Sequence, residues 1–194
     1  MKRKCVLGVL KTEAGLEIKK EMLEWLEPIY DVTLVEVDPP NDKEFELPFI
    51  KKACEVSIEN NEPVLYLHTK GAAMPNNAQP LVREFWKHEF TANCDAYFDL
   101  VKDNTQPGVA APYTLKKKIA WFNAFVINPA AAETLLTYLK PQEDRYWFEQ
   151  KIWQNDNISV YGLHDDITEW EDPWQEFLHL FSLMKQGKLF KIII

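Results

Sequence analysis

The run Val64-Leu65-Tyr66-Leu67 constrains this chain more than any other feature. It follows Asn60-Asn61-Glu62-Pro63 and runs into His68-Thr69-Lys70-Gly71. A short, continuously apolar segment between such signals suits a strand covered on both faces, not one that alternates between core and water. A strand of that kind needs helices above and below it and parallel neighbours reached by crossovers. The preceding sequence supplies both. Cys5-Val6-Leu7-Gly8-Val9-Leu10 is a second apolar run, and Thr12 offers an N-cap to a segment whose Leu16, Met22, Leu23, Leu26 and Ile29 share one helix face. Residues 31–38 alternate and are β-branched, closed by Pro39-Pro40. Pro48 then suits a first helical turn ahead of Phe49, Ile50, Ala53, Cys54 and Ser57. The first 70 residues therefore read β-α-β-α-β.

The same alternation continues. Pro80 opens a helix expected to reach about residue 102, with Val82, Phe85, Trp86, Phe90, Cys94, Tyr97, Phe98 and Val101 on its inner side. Residues 109–111 and 119–127 are strand candidates on either side of the basic turn Lys116-Lys117-Lys118. Asn128-Pro129 pairs an N-cap with a first-turn proline for a helix carrying Leu135, Leu136 and Leu139. A helix over 142–154, a strand over 158–163, an amphipathic helix over 173–186 and an apolar tail over 189–194 complete the chain. The expectation is a single α/β domain over 1–194, three layers deep, with a mostly parallel sheet.

Composition narrows the function classes. With 22 Lys and Arg against 30 Asp and Glu interleaved along the chain, a net charge of −8 leaves no basic face for a phosphate backbone, so nucleic acid is not expected as a partner. Cys5, Cys54 and Cys94 are odd in number and lie far apart, which argues against a disulfide framework or structural zinc and for a reducing compartment, with the cytoplasm the simplest location. The apolar run after Met1-Lys2-Arg3-Lys4 ends at Lys11, short of a signal-peptide core. No stretch approaches the roughly 18 apolar residues of a membrane span, so any membrane contact would be peripheral. The sequence holds no G-x-G-x-x-G, G-x-x-x-x-G-K-[ST], G-x-S-x-G or H-E-x-x-H, which disfavours dehydrogenases, P-loop ATPases, α/β-hydrolases and zinc proteases.

In open α/β sheets, ligands bind outside the carboxyl ends of the strands. That rule points to Leu10, Lys11, Thr12 and Glu13, to Asp38, and above all to His68, Thr69, Lys70 and Gly71. Gly71-Ala72-Ala73 leaves room for close approach to the backbone. An imidazole, a hydroxyl and an ammonium at one strand end can grip a diphosphate. A polar turn closing a strand accounts for the same residue types.

The segment from Val64 to Gly71, the Trp-bearing helix after it, Ala120-Trp121-Phe122-Asn123-Ala124-Phe125 and Arg145-Tyr146-Trp147-Phe148-Glu149 together resemble small glycosyltransferases of the GT-A fold. The resemblance spans roughly residues 1–165. It implies a cytoplasmic or peripherally membrane-associated transferase that moves a sugar from a nucleotide-diphosphate sugar, a UDP-sugar first among them, to a saccharide acceptor, as in polysaccharide biosynthesis. Residues 1–115 would form the nucleotide-sugar half and 116–194 the acceptor half. The implied donor residues are Leu10, Lys11, Thr12, Asp38, His68, Thr69, Lys70 and Gly71. Trp121, Asn123, Ala124 and Arg145 would hold sugar or acceptor, since aromatic faces stack on sugar C–H surfaces and amides bond hydroxyls.

Glu149 matches the acidic residue that inverting members use as base, beside the catalytic pair Lys70 and His68; Glu143, Asp144 and Asp95 stand as alternatives. Arg145 and Glu149, four apart, also make an ordinary helix-surface ion pair. Where the family usually carries Asp-x-Asp for Mn²⁺ or Mg²⁺, this chain has His68-Thr69-Lys70 and no Asp-x-Asp elsewhere. Lys70 could thus carry part of a metal's electrostatic work. If a metal is bound, His164 with Asp165 or Asp166 is the expected ligand set. Two rival readings remain: a non-catalytic module that binds a nucleotide or sugar phosphate, and a protein-interaction module using Trp170, Trp174 and the tail Ile192-Ile193-Ile194.

Overall fold

In the computed structural model, residues 2–39, 46–70, 72, 78–115, 119–120, 123–142, 147–148, 152, 155–164 and 173–188 are described. The first three strands, β1 (Arg3–Leu10), β2 (Tyr30–Val37) and β3 (Val64–His68), alternate with α1 (Glu13–Leu26) and α2 (Leu47–Asn60) as the sequence pattern requires. Thr12 caps α1, its Oγ1 accepting from the Gly15 N–H at 3.0 Å. Pro48 stands in the first turn of α2.

After β3 come α3 (Gln79–Ala92), α4 (Cys94–Leu100), β4 (Gly108–Ala111), β5 (Thr114–Leu115), β6 (Ile119–Ala120), β7 (Phe125–Ile127), α5 (Pro129–Leu136), β8 (Ser159–Gly162) and α6 (Pro173–Lys185).

Six strands form one sheet in the order β2-β1-β3-β7-β4-β8. Pairings β1–β2, β1–β3 and β4–β8 are parallel, while β7 is antiparallel to both β3 and β4, so five strands share a direction and β7 opposes them. β5 and β6 pair as a separate two-stranded hairpin.

Both faces of the sheet are covered. Cys5, Leu7, Val9, Leu65 and Leu67 pack with Met22 of α1, Phe85, Trp86 and Phe90 of α3, Phe98 of α4, and Phe177 of α6. Val6, Val64, Tyr66, Val109, Phe125 and Ile127 pack with Phe49, Ile50 and Ala53 of α2 and Ala132 and Leu135 of α5. This is the α/β three-layer arrangement, and every residue of β3 is buried. Gly8 is required by the second core: a Cβ there would stand 2.4 Å from the Phe49 ring. The three cysteines are buried and free, and burial pushes the Cys54 thiol up to about 12.

Three expectations change in detail. The helix expected over 80–102 is two helices, interrupted at Asn93. The strand expected over 119–127 is divided into β6 and β7, and Asn123 between them takes a left-handed φ of +55°. Asparagine tolerates that region better than most residues, but an extended strand cannot pass through it. The mostly parallel sheet carries one internal antiparallel strand, because the chain re-enters between β3 and β4 from the carboxyl edge. The expected helix over 142–154 falls mainly outside the described residues; within it, Phe148 and Ile152 are buried in the second core.

Candidate functional site

Parallel strands β1, β2, β3, β4 and β8 all end at one edge, and antiparallel β7 begins there. Leu10 to Thr12, Asp38, His68 to Lys70, Asn123, Ala124 and His164 are therefore gathered along one side of the sheet from five separate stretches of sequence. Gly71, Trp121, Arg145, Glu149, Asp165 and Asp166 lie outside the described residues, as do Glu143 and Asp144. Asp95 is elsewhere: it lies 3.5 Å from Arg3, at the amino end of β1 and away from this edge.

Hydrogen bonds tie the ends of β1 and β3 together. The Thr69 N–H donates to the Gly8 carbonyl at 2.9 Å, and the Leu10 N–H donates to Thr69 Oγ1 at 3.2 Å. The Lys70 N–H donates to the His68 carbonyl at 2.7 Å, turning the chain sharply out of the strand. Thr12 Oγ1 donates to the Ala72 carbonyl at 3.3 Å. From below, Arg83 of α3 donates through Nη1 to the Lys70 carbonyl at 2.9 Å, while its Nε and Nη2 grip Glu21 of α1 at 3.1 Å each. Arg83 is only 8% exposed while its partner Glu21 is half exposed, so the guanidinium is anchored in the protein and holds the backbone of the His68-Thr69-Lys70 turn against two helices. Lys11 pairs with Asp38 at 2.8 Å across the ends of β1 and β2. That hydrogen bond and the Asp38 charge raise the Lys11 ammonium above its ordinary value.

A second group lies where β3 meets β7. Tyr66 pairs with Phe125, so the residues just past them, His68 and Asn123, emerge together. Both meet Glu46, the residue before α2. Asn123 Nδ2 donates to Glu46 Oε2, the Tyr66 hydroxyl donates to the same oxygen at 3.3 Å, and His68 Nε2 stands 3.7 Å from Glu46 Oε1. The His68 ring lies between Tyr66, stacked at 6.0 Å, and Trp86, edge-on at 5.5 Å. Asn123 is completely buried, and its Oδ1 has no hydrogen-bond partner.

Of the expected ligand set, only His164 lies among the described residues. It follows β8 at the same edge but is completely buried, with Nε2 at 2.8 Å from Glu89 Oε2 on α3. The same oxygen accepts from the Tyr97 hydroxyl and from Asn93 Nδ2 at 3.2 Å. Burial by itself would raise the Glu89 carboxyl; the hydrogen bonds and charge of His164, with Tyr97 and Asn93, outweigh it and hold the group below its ordinary value. The Tyr97 phenol is driven well up by burial and by the Glu89 carboxylate. Among the described residues, no group of three or more His, Cys, Asp or Glu side chains converges as a metal site.

A hollow of about 540 Å³ opens at the opposite, amino edge, lined by Lys2, Lys4, Glu27, Tyr30, Asp31 and Val32. Lys4 already pairs with Asp31 there at 2.6 Å, and the strand-end rule places ligands at the other edge. We therefore take the carboxyl edge as the site.

No family model, curated protein or solved structure matches this chain. Chemistry at the edge must carry the functional reading. One end offers the ammonium groups of Lys11 and Lys70, and the other a carboxylate, an imidazole and an amide. Glu46, Arg83 and Glu89 were not legible as site or support residues. For Arg83 and Glu89 a signal existed: each is a charge on the inner stripe of a helix whose neighbours Val82, Phe85, Trp86 and Phe90 are apolar. For Glu46 the only signal was its position before Leu47-Pro48.

Proposed function

We infer that this chain is a GT-A-like glycosyltransferase that moves a sugar from a nucleotide-diphosphate sugar, a UDP-sugar first, to a saccharide acceptor, acting in the cytoplasm. The observation that carries the reading is the turn His68-Thr69-Lys70, hydrogen-bonded to the end of β1 and held from below by Arg83. A cation on a backbone fixed in this way, at the carboxyl edge of a parallel sheet, suits the diphosphate of a donor.

In the reaction, the acceptor hydroxyl oxygen attacks the anomeric carbon while the bond from that carbon to the diphosphate oxygen breaks. The diphosphate leaves with the electron pair, and Lys70 with His68 stabilises its growing charge. The acceptor proton passes to Glu149. Leu10, Lys11, Thr12 and Asp38 would cup the nucleoside, with Gly71 beside the diphosphate; Trp121, Asn123, Ala124 and Arg145 would line the sugar and acceptor. A divalent metal, where one is used, would add Lewis-acid stabilisation of the diphosphate; the strand end offers no acidic pair to hold it, and Asp165 and Asp166 are the carboxylates nearest in sequence to His164.

The test is thermal denaturation with a panel of nucleotide sugars, in Mn²⁺ and in chelator. A ligand at about 100 times its dissociation constant adds roughly 2.7 kcal/mol, which moves the midpoint visibly. A midpoint that no nucleotide moves overturns the reading in favour of the interaction module. Lys70→Ala should lower donor turnover about 100-fold or more, and Glu149→Gln should keep donor binding while losing transfer. Full transfer in either variant removes that residue from its role.

A further inference from the structure

Glu46 stands before α2, where an acidic side chain ordinarily turns back to accept from the helix N–H groups. Here it makes no such bond. Its carboxylate reaches instead across to the sheet edge, where Asn123, Tyr66 and His68 surround it. The side chain is 17% exposed, so the group is held by protein on several sides and still open to solvent.

Asn123 is held at two local costs. Its backbone is left-handed at φ +55°, and its Oδ1 is buried without a partner. Conformations and orphaned acceptors of this kind persist where the surrounding structure imposes them, and they cluster at ligand sites. Glu46 explains the orientation. An amide beside a carboxylate must present its NH₂, which turns the carbonyl oxygen the other way. The result is an acceptor-rich spot beside β7, distinct in chemistry from the ammonium groups beside β1.

That division fits a ligand with two chemically different ends. A carboxylate next to the donor diphosphate would repel it; a carboxylate accepting from a sugar hydroxyl makes a charge-assisted hydrogen bond. We propose that Glu46, oriented with Asn123, is the hydroxyl-recognising subsite for the sugar ring of the ligand. This rests on the donor-site reading above and adds to it the residue that distinguishes the sugar from the bare nucleotide.

The experiment compares UDP with a panel of UDP-sugars by calorimetry on the full chain, in wild type, Glu46→Gln and Asn123→Gly. Glutamine keeps the shape and can still accept from Asn123, and glycine accepts a left-handed φ without strain, so both changes keep the backbone course at this edge. The expected result is that both variants bind UDP within about twofold of wild type but lose the extra affinity of the preferred UDP-sugar, about 10- to 100-fold for Glu46→Gln. An unchanged preference for that UDP-sugar in Glu46→Gln overturns the subsite and leaves the donor reading standing. If wild type binds no nucleotide, the donor reading falls. Saturation-transfer NMR with free monosaccharides then decides the subsite alone: a signal lost in Glu46→Gln supports it, and no signal, or one equal in both proteins, overturns it.

Discussion

Replacing Asn128 isolates one side chain that ties three elements together. Its Oδ1 accepts from the Ala131 N–H at 2.9 Å, capping α5, and from the Gly108 N–H at 3.1 Å at the start of β4. Its Nδ2 donates to the carbonyls of Asp103 at 2.9 Å and Gln106 at 2.7 Å, with Val101 at 3.3 Å. The residue is completely buried.

In Asn128→Ala, loss of the cap costs about 1 kcal/mol. A buried Gly108 N–H left unpaired adds about 1–3 kcal/mol. Water can reach the exposed 103–106 turn and will relieve part of the remainder. We expect about 3 kcal/mol in all, or a fall of roughly 6–12 °C in the melting midpoint for a chain of this size.

Asn128→Asp is the sharper test. It keeps both acceptor bonds and an equally good cap, but sets a carboxylate oxygen against three carbonyls. At pH 7 it should destabilise by at least as much as alanine. Because the buried carboxyl has a raised pKa and its protonated form can donate, the variant should recover part of the loss as pH falls toward 5. Urea unfolding followed by circular dichroism at both pH values reads this directly. An aspartate variant within 1 kcal/mol of wild type at pH 7 would show that the donor half of the amide contributes nothing, and would refute the reasoning.

Glu89→Gln should destabilise by about 3–5 kcal/mol at pH 7, because it breaks a buried pair with His164. The Glu89 carboxyl is lowered in the folded state, so its contribution is present above the ordinary value of 4.5 and disappears as pH falls through the folded value. The gap between wild type and variant should therefore narrow in acid, and a gap that widens below pH 4.5 contradicts the assignment. Gly15→Ala would set a Cβ 1.9 Å from the Leu10 carbonyl oxygen, forcing apart the turn that carries Lys11 and Thr12. A loss of about 1–3 kcal/mol by urea titration is expected, and a variant as stable as wild type would show that the turn yields freely.

Much of the architecture could be read from local pattern. Thr12 and Asn128 cap helices because a short polar side chain before an apolar-periodic segment has a nearby N–H to satisfy, and the sequence displays both halves of that arrangement. The apolar run at β3 implies two covered faces, and the two cores supply them. The break at Asn93 was not legible, since apolar positions keep helical spacing through it and α4 resumes at once. Nor was the break at Asn123, where the residues on both sides read as strand. In both places tertiary packing overrides a period that local residues would otherwise continue.

By itself, the sequence determined the α/β class, the order of elements and which residues stand at strand ends, because helix and strand periods and the chemistry of caps and turns are local properties. Only the tertiary structure decided who meets whom at the carboxyl edge. Glu46 and Asn123 are 77 residues apart, and Glu89 and His164 are 75 apart. Their contact depends on β7 entering antiparallel between β3 and β4 and on β8 pairing with β4. Strand order is a global choice, fixed by how two helical layers can cover one sheet, and no local period records it.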